Sequence, residues 1–376
     1  MPNPNAVVSS IIRFQPKLDR APAEMLRAEP RLTIELEEGR RVRLDPANPR
    51  SAGFLHILDG LSKQHLPVYL EIDPATSAIT RLLIPHVTRI VGVRQIDEGV
   101  LSVELELSQA RHVLRRGQPD FADLEKQVRE AMHSGKPVIL TEDDAHNIID
   151  IRAFKPGTEE PLPPFPRPEF PLRLPWPLRL IRELLDWAWR WPLWPWWWFR
   201  CISKTKAQQV FDAMNATSCD PLTVPAPCIP FLYPDDGCWA RAHEMCRLMI
   251  NLGLSPKKVW IQGSLHVSTR NNPNCSVWWG WHVAPTLCVR GPLLFQGQQM
   301  VIDPSLFTTP VSKAKWKSVQ GDPNATLTDS DASIYYLWGN VTDPIYAQTN
   351  QKLAYYRLQL QNRALQYGAP PYANCP

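Results

Sequence analysis

Three stretches in the second half of the chain hold a thiol, an imidazole and a carboxylate in that order. They are Asp236-Gly-Cys-Trp-Ala-Arg-Ala-His243, Trp281-His-Val-Ala-Pro285 and Val301-Ile-Asp-Pro-Ser-Leu-Phe307. A cysteine attacks as its thiolate, needs a base to take its proton, and the base works best when a carboxylate fixes its orientation. Cys238, His282 and Asp303 therefore suit a cysteine-nucleophile acyl-transfer enzyme. Against this stands the plainer reading that a cysteine at a helix start is a buried structural thiol. Only the company of a strand histidine and a following aspartate argues otherwise. Other candidate bases are weaker. His243 lies five residues past Cys238 and would project about 140° around a helix from it, as a packing residue. His266 lies on another strand with no acidic partner in a comparable motif. Asp235 and Asp236 read as turn and cap residues, and Arg241 as a loop-steadying salt-bridge partner.

The elements that must position these groups can be read around them. Met245, Leu248, Met249 and Leu252 recur at helical spacing, so a helix is expected over 238–252, with Cys238 in its first turn after a Pro-Asp-Asp-Gly turn. The positive end of that helix would favour the thiolate. Lys258-Val-Trp-Ile-Gln-Gly and Leu265-His-Val-Ser-Thr read as two strands. Ser276 to Pro285 and Gln299 to Asp303 read as neighbouring strands joined by a loop at 291–297, one carrying the base and the other its partner. Gln208 to Met214 looks helical, 221–234 is a proline-rich loop, and 353–365 reads as a closing helix.

The first 154 residues look different. Residues 1–30 are rich in Pro and Ala and are expected to be poorly ordered at the start. From Arg31 onward, alternating apolar runs at 32–37, 42–44, 68–72, 79–84, 89–93, 100–107, 138–141 and 148–152 read as half-buried strands, with one helix at 121–133. The histidines here (His56, His65, His86, His112, His133, His146) show no metal-ligand spacing and are read as surface or core residues. This domain is a folding or targeting module, or a pro-domain that covers Cys238.

Residues 155–200 break the pattern, with eleven of the 39 prolines and eight of the 15 tryptophans. Pro161-Leu-Pro-Pro-Phe-Pro-Arg-Pro reads as a stiff extended linker. Leu178 to Trp191 reads as a short amphipathic helix, interrupted by charges too often to span a membrane. Residues 176–200 are expected either to lie on a membrane surface or to pack one domain against the other.

Composition bounds the rest. The 376 residues suffice for two domains, each with its own core. The net charge of +4 lies wholly after residue 200 and is too small and dispersed to indicate nucleic acid. All eight cysteines lie at or after Cys201, which suggests an oxidising compartment. With Cys238 free, at most three bridges can form and one thiol is left over. The N-terminus shows no signal-peptide pattern, so the chain is expected to be intracellular or exported by a leaderless route. There is no phosphate-binding glycine loop and no Cys-x-x-Cys pair, so neither cofactor nor metal is expected.

Gly237-Cys-Trp-Ala-Arg-Ala-His-Glu-Met, Lys258-Val-Trp-Ile-Gln-Gly-Ser-Leu, His282-Val-Ala and Ile302-Asp-Pro-Ser-Leu-Phe together resemble the protein-glutaminase family, over roughly residues 205–345. The resemblance implies an α+β fold: a C-terminal transglutaminase-like or papain-like cysteine-hydrolase core over 201–376, preceded by the small mostly-β domain. It also implies Cys238 as nucleophile, His282 as base and Asp303 as orienting carboxylate. The reaction would deamidate glutamine side chains of proteins through a thioester, by a monomeric bacterial effector or secreted enzyme. Trp239 stands where the family has tyrosine and is assigned to the substrate groove. A lysine amine resolving the same thioester would make a transglutaminase, and attack on a peptide bond a cysteine protease. A non-enzymatic, membrane-associated interaction protein is the reading from another class.

Overall fold

The computed structural model describes residues 5–37, 39–154, 201–291 and 297–376. The linker and amphipathic helix expected within 155–200 lie outside them, as do the lipid or packing roles assigned to 176–200. Among the described residues no helix is long and apolar enough to cross a membrane.

The N-terminal part is built from one pattern used twice. Its first copy comprises β1 (Ala6–Ser9), β2 (Ile11–Gln15), α1 (Pro22–Ala28), β3 (Thr33–Leu36), β4 (Arg41–Arg43), α2 (Ser51–Lys63), β5 (Val68–Ile72) and β6 (Ile79–Leu83). The second comprises β7 (His86–Thr88), β8 (Ile90–Asp97), β9 (Val100–Leu105), β10 (His112–Arg115), α3 (Phe121–Ser134), β11 (Val138–Glu142) and β12 (Ile148–Ala153). In each copy a three-stranded antiparallel meander (β2-β3-β4 or β8-β9-β10) leads into a helix, and the following hairpin pairs back onto the opening strand (β1-β5-β6 or β7-β11-β12). A parallel bridge joins Arg43 to Ala78 in the first copy and Val113 to Asn147 at the matching place in the second. The sequence carries a trace of this duplication, Pro67-Val-Tyr-Leu-Glu-Ile-Asp73 against Pro137-Val-Ile-Leu-Thr-Glu-Asp143. In both, the closing aspartate accepts backbone N–H bonds within its turn.

The expected strands are present, but residues 5–30 hold two strands and a helix, and α2 is a further helix missing from the sequence reading. Phe54, Leu55, Ile57, Leu58 and Leu61 bury its apolar face at i, i+1, i+3, i+4 and i+7, a helical rather than an alternating period.

The C-terminal part holds α4 (Lys204–Asn215), α5 (Cys238–Asn251), β13 (Lys257–Ser268), β14 (Ser276–Arg290), β15 (Gly297–Val301), β16 (Val311–Ser312), α6 (Lys313–Ser318), β17 (Thr326–Asp331), β18 (Ile334–Tyr336), β19 (Val341–Thr342) and α7 (Ala347–Tyr367). Five strands form an antiparallel sheet in the order β16-β15-β14-β13-β17. The two strands expected over 258–269 are one, β13, with an irregularity between Gln262 and Leu265. There a side chain on Gly263 would run into Ala325 and Asp322, so glycine permits the close approach.

α5 packs against β14 and α7. Its burial joins a core that runs without interruption from Val7 and Leu58 in the first copy to Trp239, Val283 and Leu358. Beside this shared core, the second copy has a cluster of its own around Leu114, Val128 and Leu140, and the C-terminal part has one around Val259, Trp279 and Trp316. The shared core exists because α2 meets α7 directly, with Gly53 and Gly60 facing Leu365 and Leu358. Disulfides join Cys201 to Cys288, Cys219 to Cys228 and Cys275 to Cys375, leaving Cys238 and Cys246 as buried free thiols. That matches the limit set by counting.

Candidate active site

Gly237 starts α5 from the left-handed region at φ 80°, where a Cβ would also strike the Tyr356 ring. Glycine is required there on both counts. The turn delivers Cys238, 1 % exposed, to the first position of the helix. The Val283 backbone N–H donates to its sulfur, so the thiol lies beside the His282–Val283 stretch of β14. Burial pushes the thiol well above its usual range, and the nearby Arg241 guanidinium opposes this without overcoming it. The expectation that the helix terminus yields a thiolate is therefore corrected. In this closed arrangement desolvation outweighs the terminus.

His282 lies in β14 opposite Ile261 of β13. Asp303 is not in a strand: β15 ends at Val301, the Ile302 N–H still bonds to the Pro285 carbonyl, and the chain then turns. That turn brings the Asp303 carboxylate 2.9 Å from His282 Nε2. Trp316 Nε1–H donates to the same oxygen at 2.9 Å and the Ser305 N–H to the other at 3.2 Å. Burial raises the Asp303 pKa, but His282, the Trp316 hydrogen bond and the Arg241 guanidinium prevail and leave it below the usual carboxylate value. An ionised Asp303 fixes the proton on Nε2, leaving Nδ1 as an acceptor. Nδ1 is buried and without a partner among the described residues. The ring is stacked between Trp279, 4.5 Å away, and Trp316, 5.4 Å away.

Trp239 is fully buried rather than lining an open groove. It donates to the Tyr335 hydroxyl at 2.9 Å and packs against Trp281 and Tyr356. Arg241 makes no salt bridge among the described residues; its Nη1 donates to the carbonyls of Tyr233 and Asp236. His243 packs as expected, between the Lys258 ammonium at 2.8 Å and the Asp343 carbonyl. Desolvation lowers both partners, His243 to about 4 and Lys258 to about 8. His266 stacks on Trp278 at 3.9 Å.

Asp235 and Asp236 do far more than make a turn. Asp236 accepts from the Gly237 N–H, the Tyr356 hydroxyl, the Ser108 hydroxyl and the Gln109 N–H. Asp235 accepts from Arg363, Asn272 and His146. Two of these donors, Ser108 and Gln109, belong to the loop between β9 and β10, residues 106–111, which lies as a strap over the thiol. Its backbone runs antiparallel to the part of β14 that β15 leaves uncovered. The Gly280 N–H donates to the Gln109 carbonyl at 2.9 Å and the Arg111 N–H to the Trp278 carbonyl at 3.0 Å. The Gln109 side chain, 1 % exposed, accepts from the Cys238 N–H at 3.0 Å and donates to the Pro234 carbonyl at 3.3 Å. Arg111 closes the far end, over the Trp278 ring and on the Ser264 hydroxyl.

The strap is anchored by histidines the sequence left scattered. Glu142 takes hydrogen bonds from His86 at 3.1 Å, His112 at 2.5 Å and His146 at 2.8 Å. His112 also meets Ser108 of the strap, and His146 reaches Asp235. His86, His112 and Glu142 are close enough together to hold a metal ion. Their ring nitrogens, however, already have protein partners, the last being Tyr355 on His86. Burial alone would discharge His146, but Glu142 and Asp235 raise it well above its usual value. Against its own burial, Glu142 is held well below the usual carboxylate value by His112 and His146.

The sequence profile of the family described as Glutaminase matches residues 207–320, the span that contributes Cys238, His282 and Asp303. Over that span, less than a third of the chain, the sequence carries the family's profile. Solved protein-glutaminases resemble it as well. A crystal structure of pro-protein-glutaminase is 20% identical, with TM-score 0.47, over 78% of this chain and 99% of that one. A crystal structure of protein-glutaminase is 27% identical, with TM-score 0.36, over 46% of this chain and 96% of that one. The solution structure of protein-glutaminase from Chryseobacterium proteolyticum is 29% identical, with TM-score 0.36, over 40% and 84%. No curated protein matches.

Proposed function

We propose that this chain is a protein-glutaminase-family enzyme that deamidates glutamine side chains in other proteins through a Cys238 thioester, on a transglutaminase-like or papain-like core. The observation that carries the reading is a carboxamide already seated at the thiol, its oxygen on the Cys238 N–H. In the proposed cycle His282 Nδ1 takes the thiol proton and the sulfur attacks the carboxamide carbon. The Cys238 N–H at the helix start donates to the developing oxyanion. His282 protonates the departing ammonia, then activates a water that hydrolyses the thioester to glutamate. Asp303 holds the imidazole in the tautomer this requires. Trp239 acts on substrate through Trp281, whose Nε1–H already bonds to the Ser108 carbonyl of the strap.

The N-terminal part, residues 1–154, restrains the enzyme: the strap occupies the place an extended substrate would take along β14, a β-addition mode of binding. Gln109→Glu sets a carboxylate against the Pro234 carbonyl and beside Asp236, and so opens the site in the full chain. Mass spectrometry of a soluble protein treated with this variant should show glutamine converted to glutamate at accessible sites. Glutamyl-lysine cross-links as the main product would move the enzyme to the transglutaminase reaction, and chain cleavage to the protease reaction.

A further inference from the structure

The strap could have covered the thiol with any side chain, yet it presents a glutamine. The carboxamide of Gln109 is pinned at both ends, oxygen on the Cys238 N–H and nitrogen on the Pro234 carbonyl. Its main chain is pinned on both sides, to Gly280 of β14 and to Asp236. This fixes the amide by the same N–H that is proposed to serve the oxyanion. His282 Nδ1 meanwhile is a buried acceptor with no donor among the described residues. Holding an amide fixed beside the thiol lowers the entropic barrier to an intramolecular step.

We propose that Gln109 is a modification site: the enzyme's first substrate is its own strap, and conversion of Gln109 to glutamate releases it. The inference rests on the deamidase reading given above. In the step, Cys238 loses its proton to His282 and its sulfur bonds to the Gln109 carboxamide carbon. The C–N bond breaks, and ammonia leaves with the proton from His282. Water then adds under His282 catalysis, the C–S bond breaks, and the products are the free thiol and a carboxylate at position 109. Glutamine and water thus become glutamate and ammonia, with no oxidant or reductant.

The product does not fit the place of the reactant. A carboxylate has no hydrogen for the Pro234 carbonyl, and its charge is buried close to Asp236, which already holds the neighbouring N–H. An unpaired buried charge beside a like charge is strongly disfavoured, so the strap leaves β14 and admits other proteins. The closed chain is then a single-use restraint that the catalytic groups themselves remove.

The test is peptide mass spectrometry of the full chain, following the tryptic peptide that ends at Arg111. That peptide also contains the exposed Gln95, an internal reference. In the wild type, position 109 should become glutamate, at a rate unchanged on dilution, while Gln95 lags. A hydroxylamine-sensitive species lacking one ammonia would be the thioester and would equally support the proposal. Cys238→Ala should keep Gln109 intact, and His282→Asn serves the same purpose should the first variant fold poorly. Gln109→Met, of similar length but without an amide, should stay closed and deamidate an added protein about tenfold more slowly than Gln109→Glu, a difference equivalent to about 1.4 kcal/mol. An intact Gln109 in wild type, while Gln109→Glu deamidates added protein, overturns this inference and leaves the deamidase reading standing. Equal rates for the Met and Glu variants overturn the release. Inactivity of Gln109→Glu toward every protein would instead sink the deamidase reading itself.

Discussion

At the scale of residues, the site sets a well-anchored imidazole and carboxylate beside a desolvated thiol. His282 and Asp303 are 2.9 Å apart and the imidazole stacks on two indoles, so this pair is oriented before reaction. Asp303→Asn would supply an amide where the imidazole needs an acceptor and favour the wrong tautomer. Turnover should fall by about 10³- to 10⁴-fold with little change in KM, as when the carboxylate of a comparable triad is neutralised; steady-state kinetics on the Gln109→Glu background checks this. Cys238 offers a second prediction. Its thiol is raised by burial beneath the strap, so iodoacetamide at mildly alkaline pH should modify it slowly in Gln109→Met and far faster in Gln109→Glu. Cys246, raised by burial to about 11, should stay unmodified in both. Cys238, His282 and Asp303 stand out in the sequence as candidates because each lies within a contiguous motif. Gln109 does not, because nothing in Leu107-Ser-Gln-Ala-Arg111 announces that its partners lie more than a hundred residues away. Asp235 and Asp236 looked like turn residues for the same reason.

At the scale of elements, two devices hold the strap: the turn into α5 and the histidine-carboxylate cluster below it. Gly237→Ala would force a side chain into the left-handed region and into Tyr356, a donor to Asp236. It should lower stability by about 1–3 kcal/mol, read as a shift in the urea midpoint. The cluster predicts a pH dependence. Glu142 is depressed in the folded protein, so its contribution is present above the ordinary value of 4.5 and is lost as pH falls through the lower folded value. His146 is raised, so its contribution is complete below the ordinary value of 6.5 and is lost as pH rises through the higher folded value. The cluster is thus intact around neutrality and weakens toward both extremes. Urea midpoints measured against pH should show an acid limb that Glu142→Gln flattens. The helix α2 was legible in principle, since its burial at 54, 55, 57, 58 and 61 follows a helical period, but neighbouring alternating runs drew the reading toward strands. The strand reading of Asp303 failed because apolar content says nothing of where a ladder ends.

At the scale of the whole molecule, the covering part and the catalytic part are packed together, through α2 on α7 and a shared core. Cutting the chain near Cys201 would expose that apolar surface. The release proposed here therefore acts on the strap and leaves the rest of the N-terminal part in place. Disulfides brace the catalytic side unequally. The Cys275–Cys375 bridge closes 100 residues and the Cys219–Cys228 bridge only 9. Chain-entropy reasoning assigns about 5 kcal/mol to the first and about 3 to the second, so paired Cys→Ser replacements should lower the denaturation midpoint more for the long loop. The concentration of cysteine after residue 200 was readable as a disulfide framework, whereas the pairing depends on chain paths that only the fold supplies.

Cys238, once uncovered, is proposed to remove ammonia from glutamine in other proteins. Ammonia release from a soluble glutamine-containing protein, followed for full-length Gln109→Glu beside Gln109→Glu/Cys238→Ala, tests it most directly. Steady release is expected from the first, matched by glutamate formed in the substrate, and none above background from the second. Equal release from both, with each variant folded, would contradict it.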